Sequence, residues 1–123
     1  MSEGQVPILD LLPLMEIADQ TGTDAAEEFA ETYRRMLPQR VSRIIRALHP
    51  LDPKDAMDAA LSLRISSAMT GALTMERICT ELVVALKAAG LHGAREAGRK
   101  VQEHLPQLEA ALDDLLPQLD TAA

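Results

Sequence analysis

The sequence predicts an all-α fold, an antiparallel up-down four-helix bundle preceded by a short additional N-terminal helix. Apolar residues make up 47% of the chain and aromatics only 2%, so the core has to be built from Leu, Ala, Ile, Val and Met, a set that favours helices over strands. Apolar positions recur at intervals of three and four along successive segments, the period of an amphipathic helix. Short turn signals separate those segments, and helices joined by short turns pack as antiparallel neighbours. At 123 residues the chain is long enough to bury a sizeable core and too short for two, so one domain over 1–123 is expected.

The first helix is read within residues 6–18, where Ile8, Leu11, Leu12, Met15 and Ala18 share a spacing, although Pro13 in its middle makes it start late or bend. Thr-Gly-Thr at 21–23 breaks the pattern, and Asp24 with Glu27 three residues on marks the start of a second helix. That helix carries Phe29, Tyr33, Met36, Leu37, Val41, Ile44, Ile45 and Leu48, with a kink expected at Pro38, and ends at His49-Pro50. Asp52-Pro53 supplies an N-cap followed by proline at the first helical position, opening a third helix to about Met69, with Gly71 punctuating its end. A fourth helix over 73–89 buries Met75, Ile78, Cys79, Leu82 and Leu86 and closes on Gly90 as C-terminal cap. The last, over 92–119, sets Ala94, Ala97, Val101, Leu105, Leu108, Leu112, Leu115 and Leu119 on one side, with a kink at Pro106. The outermost residues at each end are expected to fray.

Composition excludes several functions. A net charge of −7 and a pI near 4.8 repel a phosphate backbone, and no basic stripe offsets this, so nucleic acid is not an expected partner. Arg34, Arg35, Arg40, Arg43 and Arg46 form the most basic segment, at mixed helical angles that fit a solvated helix face. Cys79 is alone, which rules out an internal disulfide and a cysteine metal pair, and its apolar neighbours mark it as a buried thiol. No apolar run approaches a membrane span, and the opening MSEGQVPILD lacks the positive region of a secretory leader, so a cytoplasmic protein without membrane attachment is expected.

The third helix holds the most specific stretch, Ala60-Leu61-Ser62-Leu63-Arg64-Ile65-Ser66-Ser67-Ala68, followed by Gly71-Ala72. It resembles the signature of the histidine-containing phosphotransfer (HPt) domain, which reads Ala-His-Ser-Leu-Lys-Gly-Ser-Ser-Ala with Gly-Ala shortly after. Gly71-Ala72, Cys79, Glu81 and Leu82 continue the likeness, with the family's usual Leu-Glu order reversed. Phe29 and Leu37-Pro38 are similar to the family's second helix. The resemblance spans about 100 residues, but only the third-helix stretch is specific. It implies the four-helix fold and a role in bacterial two-component phosphorelay signalling. Three departures fall on the family's active face. Leu61 stands where the family has its phosphoryl-accepting histidine, and an alkyl side chain has no nucleophilic atom. Arg64 replaces a lysine, and Ile65 replaces a glycine whose small size admits a partner's active site.

Residues three and four apart share a helix face, so Met57, Leu61, Arg64, Ile65 and Ala68 form one patch, with Ala56, Ala59, Ala60, Leu63 and Ser67 on another. Under the family's orientation the second stripe faces the core and the Leu61 patch faces solvent, an apolar protein-binding surface. The same periodicity is met if Leu61 is an ordinary core leucine, with Asp55, Asp58, Ser62 and Ser66 as the only wet face.

The resemblance therefore implies a degenerate, non-enzymatic member that docks a response-regulator receiver domain or a histidine kinase without cofactor, metal or catalytic residue. Two alternatives stay open. A displaced acceptor among His49, His92 and His104, each read as a lone surface histidine, would restore phosphotransfer. A homodimer through the Leu61 and Ile65 face would make the protein a self-associating bundle. The three histidines are too dispersed for a metal site.

Overall fold

The computed structural model describes residues 6–121; the outermost residues expected to fray, and the first five positions of the opening read for a leader, lie outside them. Five helices follow in order, α1 (Leu12–Thr21), α2 (Thr23–Leu48), α3 (Pro53–Thr70), α4 (Leu73–Lys87) and α5 (Leu91–Thr121). Helices α2 to α5 pack on one another in sequence, α5 closes back on α2, and α1 lies across α2 and α3. This is the antiparallel up-down bundle with a short N-terminal helix. Among the described residues no helix is long and apolar enough to cross a membrane.

Local chemistry sets the boundaries. Helix α1 starts late, with Pro13 in its first turn where a missing N–H costs nothing, and the Asp10 carboxylate accepts the Leu12 N–H at 3.0 Å. Helix α2 begins one residue before the expected Asp24, with Gly22 at the cap and no side-chain cap, so Asp24 sits inside the first turn and Glu27 just beyond it. It runs through the exposed Pro38 to Leu48. At its end, the Arg95 guanidinium of α5 donates twice to the Leu48 carbonyl, at 3.1 and 3.0 Å. Helix α3 opens as the sequence predicts, with the Asp52 carboxylate accepting the Asp55 N–H at 3.1 Å and Pro53 following.

The two glycine stops differ. Gly71 takes the left-handed conformation at φ 84°, and Gly71 and Ala72 return N–H groups to Ala68 and Ser67. A Cβ there would collide with the Asp10 carbonyl. Helix α4, by contrast, ends at Lys87, and it is Ala89, not Gly90, that turns left-handed at φ 55°. Gly90 is the next residue out and donates to Ala85 O at 2.9 Å.

The core draws on every helix, with Leu14, Leu37, Ile44, Leu63, Met75, Leu82, Val101, Leu108 and Leu112 all fully buried. Phe29, Leu61, Leu86 and Leu105, on the predicted apolar stripes, pack against it while remaining partly exposed. One polar pair is built into it. Tyr33 Oη of α2 and Ser67 Oγ of α3 lie 2.7 Å apart, and burial raises the Tyr33 phenol well above its ordinary value. Arg34 ties α2 to α5 through Glu109 at 2.9 Å and Asp113 at 3.0 Å.

Candidate functional site

Helix α3 has two unlike faces. Ala56, Ala59, Ala60, Leu63 and Ser67 are all buried against the rest of the bundle. Apart from Leu63 these side chains are small, so α3 approaches its neighbours closely and is held near its C-terminal end by the Ser67–Tyr33 bond. That anchoring fixes which residues point outward.

On the outer side, Ile65 is 56% and Met69 50% exposed. Leu61, Met57, Arg64 and Ala68 are each half-buried, and Met57 and Leu61 rest partly on the core. Leu61 is therefore neither a core leucine nor fully in water: its inner edge packs while its outer edge borders Ile65 one turn along. Ala68 and Met69 line a shallow groove shared with Pro13 and Ile17 of α1, so the short helix covers the C-terminal end of the face. Charged groups flank it. Arg64 lies close enough to Cys79 for its charge to act on that thiol, although burial dominates and pushes Cys79 up to about 12, leaving it an inert, fully buried side chain. On the α2 side, Arg40 donates to Ser62 Oγ at 2.5 Å, and Arg43 pairs with Asp55 at 2.7 Å.

The three histidines fare differently. His49 and His92 are exposed and line one groove with Arg95 and Arg99 at the end of the bundle where α2 stops and α5 begins. His104, read from sequence as a surface residue, is only 6% exposed and its Nε2 has no hydrogen-bond partner. Burial lowers its pKa, with a hydrogen bond to Gln107 opposing in part. So buried an imidazole offers little surface to a phosphoryl donor. A second signal missed in the sequence is the groove between α4 and α5, where Val84 is 61% exposed beside Leu73, Ala85 and Ala97. Among the described residues no cluster of His, Cys, Asp and Glu is arranged to hold a metal ion.

No family model and no curated protein matches the chain. A solved structure does: the HPt domain of an Hpt sensor hybrid histidine kinase from Shewanella superposes with a TM-score of 0.76 over 90% of this chain and 95% of that one, at 23% identity. The bundle thus has the fold of an HPt domain.

Proposed function

We propose that the chain is a single-domain, cytoplasmic HPt-like module of a bacterial two-component phosphorelay, incompetent for phosphotransfer at the usual position and acting by docking a receiver domain or a histidine kinase. The observation that carries this reading is the place of Leu61. By resemblance it aligns with the acceptor histidine, and it lies mid-helix on the outer side of α3 with the exposed Ile65 one turn away. An alkyl pair there offers a partner an apolar seat and no atom able to accept phosphorus. Leu61, Ile65 and Met57 supply the desolvated centre, Ala68 leaves room for close approach, and Arg64 adds a charged fork at the edge. Binding without transfer sequesters or inhibits the partner.

The test is isothermal titration of purified receiver and kinase domains from the native organism against wild type and against a Leu61→Glu, Ile65→Glu double variant that keeps its helicity. Saturable binding by wild type, weakened at least about tenfold in the variant, supports docking at a central apolar contact. Binding unaffected by the variant, or none at all, refutes it. A second reading, phosphotransfer by a displaced histidine, is favoured by the exposed His49 and His92 sharing a groove with Arg95 and Arg99. Acid-labile phosphate on the wild type, lost in His49→Gln or His92→Gln, would establish that reading instead. A mass that rises with concentration and falls in the Leu61→Glu, Ile65→Glu variant would point to a homodimer.

A further inference from the structure

We infer that the partner covering the α3 face carries an acidic rim, received by Arg40 and Arg46 of α2, so that apolar face and these two arginines form one docking surface. The inference rests on the docking reading above and specifies the partner's chemistry. Its first ground is an asymmetry of charge. Positions 32–51 hold five of the chain's 12 basic residues and none of its 19 acidic ones. On a molecule of net charge −7, this is the most basic stretch.

The structure sorts these arginines by what neutralises them. Arg34 turns towards α5 and is taken up by Glu109 and Asp113. Arg43 is paired with Asp55, itself only half-buried. Arg35, Arg40 and Arg46 have no carboxylate partner among the described residues; Arg35 donates to Thr32 Oγ1 at 3.5 Å, whereas Arg40 donates to Ser62 Oγ and reaches Met36 Sδ. Arg40, Arg43 and Arg46 line an open groove of about 780 Å³ that runs along α2, with Met36 also from α2 and Ser62 as its one lining residue from α3.

Ser62 joins this groove to the apolar face. It adjoins Leu61 in the chain and lies three residues before Ile65, a spacing that puts both on one side of the helix. A body seated on Leu61 and Ile65 therefore has its edge over Arg40. At physiological ionic strength charges are screened beyond roughly 8 Å, so that edge meets Arg40 and Arg46 together with the Arg43–Asp55 pair and the nearby Asp58, and not the more distant charges of the bundle. Complementarity demands carboxylates there, which set association rate and orientation while the apolar centre sets lifetime. The row is too short, and the chain too acidic, for a nucleic-acid backbone.

The experiment measures association and dissociation rates of a receiver domain that binds wild type, at 50 mM and 500 mM salt. The variants are Arg46→Gln, Arg40→Gln with Arg46→Gln, and Lys100→Gln. Lys100→Gln makes the same change of charge on α5, a helix that does not pack on α3. Arg46 is exposed and Arg46→Gln removes no hydrogen bond among those described, so it isolates charge even if the double variant is destabilised. The double variant should associate about tenfold more slowly at 50 mM salt and within about twofold of wild type at 500 mM, with Arg46→Gln between and Lys100→Gln unchanged. Arginine variants that match Lys100→Gln while wild type still binds would overturn the acidic rim and leave docking intact. Failure of wild type to bind any receiver or kinase would overturn both. Capture by phosphatidylglycerol vesicles, lost in the double variant, would assign the row to a lipid surface and also overturn the inference.

Discussion

Leu63→Ala and Ile65→Ala truncate two aliphatic side chains only two positions apart on α3, and the structure makes their costs very different. Leu63 is fully buried, whereas Ile65 is 56% exposed. Deleting a fully buried leucine side chain costs about 2–5 kcal/mol, because lost transfer energy adds to the cavity left behind. Full burial of an isoleucine is worth roughly 1.5–3 kcal/mol; with less than half of Ile65 out of water, about 1 kcal/mol is at stake, and alanine's better helix propensity returns part of it. For a chain of this size each kcal/mol moves the melting temperature by about 3–6 °C. Leu63→Ala should therefore lower the melting temperature by at least about 6 °C. Ile65→Ala should shift it by no more than about 4 °C. Circular dichroism melts with urea titrations at unchanged m-value check both. A loss for Ile65→Ala equal to that of Leu63→Ala would show that α3 is turned the other way, and would remove the outward face on which docking depends.

Tyr33→Phe leaves Ser67 Oγ without its 2.7 Å partner in the core and should cost about 1–3 kcal/mol. Tyr33→Phe with Ser67→Ala should cost little more than either alone, and additive losses in a double-mutant cycle would refute the bond's role. His104 has its pKa lowered from 6.5 by burial, so the unfolded chain takes up the proton first. Stability should hold above pH 6.5 and fall as the pH drops from there towards the folded-state value, and denaturant titrations at pH 7.5 and 5.5 should show this slope in wild type and not in His104→Leu. Leu61→His combined with Ile65→Gly should accept acid-labile phosphate from a phosphorylated receiver that binds the protein, whereas Leu61→His alone, with the isoleucine still crowding the ring, should accept far less. No phosphate on the folded, receiver-binding double variant would refute the alignment of Leu61 with the acceptor position.

Much of the bundle was legible because its signals are local. Asp52-Pro53 and Gly71 fix α3 through capping chemistry that depends on a few neighbouring residues, and the Ala56 to Ser67 stripe follows from helical period alone. The end of α4 was not legible. Glycine is the cheapest residue in a left-handed turn, yet Ala89 takes that turn and Gly90 donates to Ala85. His104 was misread although a signal existed: it falls three residues after Val101 and four before Leu108, on the buried stripe. Tyr33 and Ser67 lie 34 residues apart, and periodicity could place each inward without pairing them. Leu61 was ambiguous for a physical reason too, since a half-buried residue satisfies both an inward and an outward reading of the same period.

An ordinary amphipathic helix turns its large aliphatic side chains inward and its small or polar ones outward. Helix α3 does much of the reverse. Its buried face is mostly alanine and serine, while Leu61, Ile65 and Met69 stand partly or largely in water. Folding alone gives little reason for this, because an exposed aliphatic side chain contributes little transfer free energy and a contiguous group of them invites association. Scattered single exposures would call for no explanation, but these three follow one another at intervals of four along one helix, and α1 covers only the end of the row at Ala68 and Met69. What α1 leaves open is the segment around Leu61 and Ile65, bounded by Arg40 on one side and Arg64 on the other. Stability is thus provided by one face of α3, and the other is left apolar and accessible, with Asp55 and Asp58 as well as Arg40 and Arg64 at its border, the arrangement that the proposed docking partner would require.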